Sequence, residues 1–349
     1  MLSDYPVREL HVFYVRSDFQ YVVCKGIIKK YNIKNENCYF VADRQTPIEN
    51  CYEQSLIYGI GRYLNFKERL KLYLKKRSFV NEFFRDKKVT VYMPFSLQFA
   101  SHTYNEFIYY EEGLSAYAIN EQVSDTSKMT LALMKCLVYF LAPTNKQVRG
   151  YLMGFVCKNK RPANLTRLLS FSKDCYNGIL DDNVKKEVIS VPSEPIEEYT
   201  IPRGSTMLVL DRLSEFGRPF ELENYRRCID KILEQIKSEG VNQLFVKYHP
   251  ADYNNKESVA WMNAVIKSKG FEYQLFNGRL EYLALQNIKT RFVGTNSTIL
   301  YYAPVLGSSN QSLSFCKLLS VMDEKYRRFL RRWGDFVAFF SKNVECIDV

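Results

Sequence analysis

Short apolar runs rich in β-formers alternate with stretches of helical periodicity, and the alternation occurs twice along the chain. No other feature constrains the fold as much, because strands alternating with helices build parallel βαβ units. In the first half, LHVFYV over residues 10–15 ends at Arg16-Ser17-Asp18, cap-like residues that open a helical pattern to residue 30. Further strands are predicted at 38–42, 89–93 and 107–110, with a helical region at 52–76. Residues 123–197 are less regular, with helix-like stretches at 130–141 and 165–180.

The polar run 194–198 and the breaker Pro202-Arg203-Gly204 read as a linker, after which a second α/β pattern begins. Strands are predicted at 206–210, 243–246, 273–276 and 290–293, and helices at 258–269 and 280–286. Residues 221–239 form an amphipathic helix with Tyr225, Cys228, Ile229, Ile232, Leu233 and Ile236 on one side, and Gly240 ends it. Another helix opens at Gly294-Thr295-Asn296-Ser297-Thr298 and runs through 306, and residues 323–340 have helical spacing. A chain of 349 residues is long for one core, so the expectation is two Rossmann-like domains, 1–200 and 201–322. Residues 323–349 form a C-terminal helix expected to pack back on the N-terminal domain.

Composition narrows the function. Apolar residues make up 46% and charged residues 25%, the balance of a soluble globular protein. No apolar stretch is long enough for a membrane-spanning helix, and Asp4, Arg8 and Glu9 break any signal-peptide pattern. Nine scattered cysteines without a C-x-x-C pair read as reduced thiols of a cytoplasmic protein, and three histidines without tight spacing predict no metal site. The net charge of +11 favours an anionic partner. Basic residues interleaved with leucine and phenylalanine over 67–88 can lie on an anionic membrane surface, and they equally suit a solvated helix face.

Ligands of open parallel sheets bind beyond the carboxyl ends of the strands. Three polar clusters stand at such ends. Glu111-Glu112-Gly113 follows the strand FIYY, where a carboxylate could serve as general base on a hydroxyl; two solvated acids on a surface turn would read the same. Lys247-Tyr248-His249-Pro250 follows QLFV, where Lys and His could hold a phosphate; a structural histidine is the alternative. Ser297 and Thr298 fall at a helix N-terminus, an anion site as well as a place for ordinary capping by Asn296 or Ser297. A carboxylate in one half and a cradle of Lys, His and hydroxyls in the other suit glycosyl transfer from a nucleotide-sugar.

At these residues the chain resembles the bacterial sialyltransferases of the GT-B type, which share an acidic-acidic-glycine motif, an HP motif and a serine motif. Glu111-Glu112-Gly113 matches the first, His249-Pro250 the second, and Ser297-Thr298 the third, with threonine in place of the second serine. The resemblance implies a GT-B-like fold, two Rossmann-like domains facing across a central cleft, with the acceptor on the N-terminal side and the CMP donor on the C-terminal side. It implies Glu111 as general base, with Glu112 and Gly113 on the acceptor side, and His249 assisting CMP departure. Lys247, Pro250, Asn296, Ser297 and Thr298 then belong to the donor site. Glu281, 16 residues before Ser297, is the candidate for the ribose hydroxyls. The bulky Tyr248 inside the motif could alter base or sugar contacts.

The implied partners are CMP-sialic acid and a glycan acceptor, with no cofactor and no essential metal. The implied location is the inner face of a bacterial cytoplasmic membrane. Another GT-B transferase, for a Kdo or capsule sugar, would have the same architecture. A nucleic-acid-binding protein is the reading outside enzymes, prompted by the charge, 26 Tyr and 24 Phe, but no recognised motif of that kind occurs.

Overall fold

The computed structural model describes residues 9–15, 17–42, 55–57, 87–94, 106–117, 136–137, 139–140, 165–176, 184–213, 218–252, 255–331 and 336–347. The chain divides into two compact units, Met1–Pro192 and Ser193–Val349.

The first unit is built on a seven-stranded, all-parallel sheet. Its strands are β1 (Glu9–Val15), β2 (Cys38–Ala42), β3 (Ser55–Ile57), β4 (Lys88–Pro94), β5 (Glu106–Tyr110), β6 (Leu165–Ser170) and β7 (Lys185–Val188). They run in the order β3-β2-β1-β4-β5-β6-β7, so the topology reverses between β1 and β4. The central strands are buried on both faces, which is why they read as continuous apolar runs. Leu10, Val12, Val89, Val91, Phe107 and Tyr109 pack into one cluster with Leu165 and Leu168. Phe13 and Tyr92 stack at 4.4 Å between centroids beside Phe40. Helix α1 (Asp18–Lys30) starts where Ser17 accepts a bond from the Gln20 N–H, with Asp18 in its first turn and Lys29 and Lys30 in its last, the charge order that suits a helix dipole.

The second unit carries a six-stranded parallel sheet in the order β10-β9-β8-β11-β12-β13. The strands are β8 (Thr206–Val209), β9 (Gln243–Lys247), β10 (Glu272–Leu275), β11 (Arg291–Gly294), β12 (Gln311–Ser314) and β13 (Glu345–Cys346). Helix α2 (Leu222–Ser238) follows β8 and buries all six apolar residues expected of its inner face. Ile229, Ile232, Leu233 and Ile236 each contribute about 1.5–3 kcal/mol on leaving water. Helices α3 (Lys256–Ser268), α4 (Leu280–Leu285), α5 (Thr298–Leu306), α6 (Cys316–Met322), α7 (Glu324–Arg331) and α8 (Phe336–Phe340) complete the unit. The segment 323–349 supplies α7, α8 and β13, and Tyr326 of α7 meets Phe220 before α2. Among the described residues no helix is long and apolar enough to cross a membrane.

Sequence periodicity misreads two segments of the first unit. Residues 165–170, expected to be helical, form β6 instead, and 55–57, inside the predicted helical region, form β3. A short apolar run such as LTRLLS suits either state, and pairing with β5 decides it. Strands β7, β12 and β13 have too little alternation to be seen in the sequence. The predicted helix 130–141 lies outside the described residues except 136, 137, 139 and 140, which are helical, and the basic stretch 67–88 lies outside them except 87 and 88.

Candidate functional site

The carboxylate pair belongs to the first unit and the other candidate residues to the second. Glu111 continues the backbone ladder past β5, its N–H donating to Leu169 O at 2.9 Å. It is not a solvated acid. Its residue exposure is 0%, its Oε1 accepts from the Tyr117 hydroxyl at 2.6 Å, and its Oε2 accepts from the Phe171 N–H at 2.8 Å. Donors of this kind are what make a buried carboxylate tolerable. Gly113 has φ +129°, which a side chain rarely adopts, and the turn it allows starts the 3₁₀ segment Leu114–Tyr117 that brings Tyr117 back over Glu111. Glu112 is partly exposed. Burial first, then nearby negative charge including Glu111, pushes the Cys175 thiol and the Tyr176 phenol well above their ordinary range, so both stay neutral.

In the second unit β9 and β11 flank β8, which puts the ends of β9 and β11 about 10 Å apart at the point where the topology reverses. Crevices for ligands open at such points. On the β9 side, Lys247 is partly exposed and His249 exposed, while Tyr248 between them is buried. The Tyr248 hydroxyl donates to Asn263 Oδ1 at 2.8 Å, so this residue anchors α3 instead of standing among ligand contacts. Pro250 begins a 3₁₀ turn, closed by Asp252 N–H donating to His249 O at 2.8 Å. Lys247 Nζ donates to Gly278 O at 2.7 Å, in the loop that leads to Glu281 on α4. Glu281 is partly exposed.

On the β11 side, a Cβ at Gly294 would lie 2.6 Å from Val209 O, so glycine is what lets β11 end against β8. Thr295 is fully buried, and Asn296, Ser297 and Thr298 are partly exposed. Ser297 occupies the N-cap of α5 with φ −61° and ψ 140°, yet its side chain makes no capping bond. The ordinary capping role is therefore not in use for Ser297. The Leu300 N–H donates back to Ser297 O at 3.0 Å, and the N–H groups of Thr298 and Ile299 precede the first turn's hydrogen bonds.

Several residues at these strand ends escape sequence reading. Tyr117 lies six residues beyond Glu111, and only the glycine turn hints at its return. Asp252 is fully buried and accepts from the Leu213 N–H at 2.7 Å, fixing the loop after β8. Asp211 lies in that loop with its Oδ2 sealed from solvent and without a hydrogen-bond partner; burial pushes its carboxyl up to about 7.

Fold and strand ends together define a two-unit α/β protein in which both sheets have the doubly wound order of nucleotide-binding folds. No protein-family model matches the chain, and no curated protein matches it. Among solved structures it is similar to a sialyltransferase from Photobacterium damsela, at 11% identity over 97% of this chain and 81% of that one, with a TM-score of 0.49. It is also similar to HepE of Anabaena, solved in complex with UDP and glucose, at 9% identity over 97% of this chain and 96% of that one, with a TM-score of 0.46. Likeness at this level assigns neither a donor nor a reaction.

Proposed function

We propose that the chain is a glycosyltransferase that moves sialic acid from CMP-sialic acid to a hydroxyl of a cell-surface glycan, lipooligosaccharide or capsule, by metal-independent inverting transfer. The observation that carries this reading is the start of α5. Ser297 stands at its N-cap without a capping bond, next to Thr298, on the same sheet edge as His249. Two hydroxyls and the leading N–H groups of a nine-residue helix make a cradle for the CMP phosphate. In this reading His249 protonates or hydrogen-bonds the departing phosphate, and Lys247 adds positive charge beside it. Asn296 and Pro250 shape the donor site, and Glu281 accepts from the ribose hydroxyls. Glu111 is the sink for the acceptor's proton, with Glu112 and Gly113 on the acceptor side. The excess of 49 basic over 38 acidic residues suits an anionic donor and a peripheral stay on an anionic membrane surface.

The test begins with thermal shift against CMP, UDP and GDP, because only a bound nucleotide raises the midpoint. CMP alone is expected to stabilise. Incubation with CMP-sialic acid and a panel of lactosides and sialosides should then give sialylated products by mass, and His249→Ala should slow their formation. Stabilisation by UDP or GDP without CMP would move the chain to another nucleotide-sugar class. Salt-dependent binding of single-stranded nucleic acid, with no nucleotide effect, would remove the enzyme reading altogether.

A further inference from the structure

A general base has to stand within about 2.6–3.2 Å, heavy atom to heavy atom, of the group whose proton it takes, or reach it through an intervening hydrogen-bonded group such as a water. Glu111 is wholly buried, and both of its carboxylate oxygens already accept hydrogen bonds. Tyr117 is the less buried partner of this pair. It is partly exposed, its ring packs against the apolar core of the first sheet, and its hydroxyl donates to Glu111 Oε1 at 2.6 Å. A phenol hydroxyl that donates one hydrogen bond can accept another.

We propose that Tyr117 is a proton relay, carrying the acceptor's proton to Glu111. The inference rests on the reading of Glu111 as the proton sink in transfer to a hydroxyl. As the acceptor oxygen bonds to the anomeric carbon of the donor, its proton passes to Tyr117 Oη, and the proton of Tyr117 passes to Glu111 Oε1. The bond from the anomeric carbon to the phosphate oxygen breaks, and its electron pair leaves with CMP. Tyr117 ends as a neutral phenol and Glu111 as a neutral acid, so no further reactant is needed. The two proton transfers are coupled, because a free tyrosinate beside a buried carboxylate would set two negative charges together. Among the described residues, the titratable groups around Glu111 include Glu112, Cys175, Tyr176 and Lys186, whose ammonium donates to Tyr176 O at 2.6 Å; burial holds the Cys175 thiol and the Tyr176 phenol neutral.

The test is Tyr117→Phe in the full chain, assayed with CMP-sialic acid and a lactoside. The variant keeps the ring and loses only the hydroxyl. Its kcat is expected to fall about a hundredfold or more. KM for CMP-sialic acid should stay the same, and the thermal midpoint should move by no more than about 5 °C. The acid limb of the wild-type kcat–pH profile should vanish, which a supporting role alone would not cause. Wild-type kcat with an intact acid limb in Tyr117→Phe overturns the relay. So does a reduced kcat with the acid limb unchanged, which makes Tyr117 a prop for Glu111. Lost turnover in Glu112→Gln beside normal turnover in Tyr117→Phe makes the partly exposed neighbour the base. A wild type that transfers from no sugar nucleotide sinks the transferase reading, and the relay with it.

Discussion

The ammonium of Lys247 donates to the carbonyl of Gly278 across 2.7 Å, tying the end of β9 to the loop that opens α4. Glu281 stands three residues further along, so this lysine shapes the loop of the proposed ribose contact as well as adding charge. A hydrogen bond from a charged donor contributes about 1.5–3 kcal/mol. Lys247→Met is expected to lower the denaturation midpoint and to weaken CMP binding about tenfold, a loss of about 1.4 kcal/mol. Urea unfolding and calorimetric titration read the two effects, and a variant unchanged in both would show the tie to be idle.

Ser297→Ala combined with Thr298→Ala separates anion binding from capping. Losing an N-cap side chain costs about 0.5–2 kcal/mol where it caps. Here Ser297 makes no capping bond, so the thermal midpoint should hardly move while CMP affinity drops about tenfold or more. A falling midpoint with unchanged affinity would reverse the assignment.

Glu111→Gln keeps the shape of a side chain whose two oxygens meet Tyr117 and Phe171. The amide oxygen can still accept from the Phe171 N–H, and the Tyr117 hydroxyl can turn to accept from the amide. A modest loss of stability, about 1–3 kcal/mol, is expected. Sialyl transfer should be lost with CMP affinity intact, measured by product mass and titration; normal turnover would put the base elsewhere.

Asp211 gives a pH signature. Its carboxyl is pushed up from 3.8 to about 7 by burial first, with a smaller contribution from Cys316. The folded protein therefore holds this proton more tightly than the unfolded chain between about pH 4 and pH 7, and stability falls as pH rises through that window. Asp211→Asn removes this contribution. The drop in thermal midpoint from pH 5 to pH 8 should be smaller in the variant than in the wild type, and an equal drop would assign the slope to other groups.

The elements that sequence reading places well are those whose signal is local. The inner face of α2 repeats at helical spacing, and every residue of it is buried. The strand ends at Glu111, Lys247 and Gly294 are visible because apolar runs stop there at polar or glycine residues. The strands β6 and β3 were not legible, because a run of three to six residues carries too little periodicity to separate strand from helix. Tyr248 shows the same limit at a side chain. It sits between two residues of one motif, yet its hydroxyl belongs to α3 through Asn263.

From its own alternation of runs, the chain's sequence determines two parallel α/β patterns and the positions at which each strand gives way to a polar turn. Those depend on neighbours a few residues apart. Tertiary structure alone decided that Glu111 is wholly buried, because the N–H that holds it comes from Phe171, sixty residues on, across a strand pairing that no local pattern encodes. It decided likewise that β9 and β11 stand on either side of β8, since sheet order is set by which backbones pair and bury one another's faces.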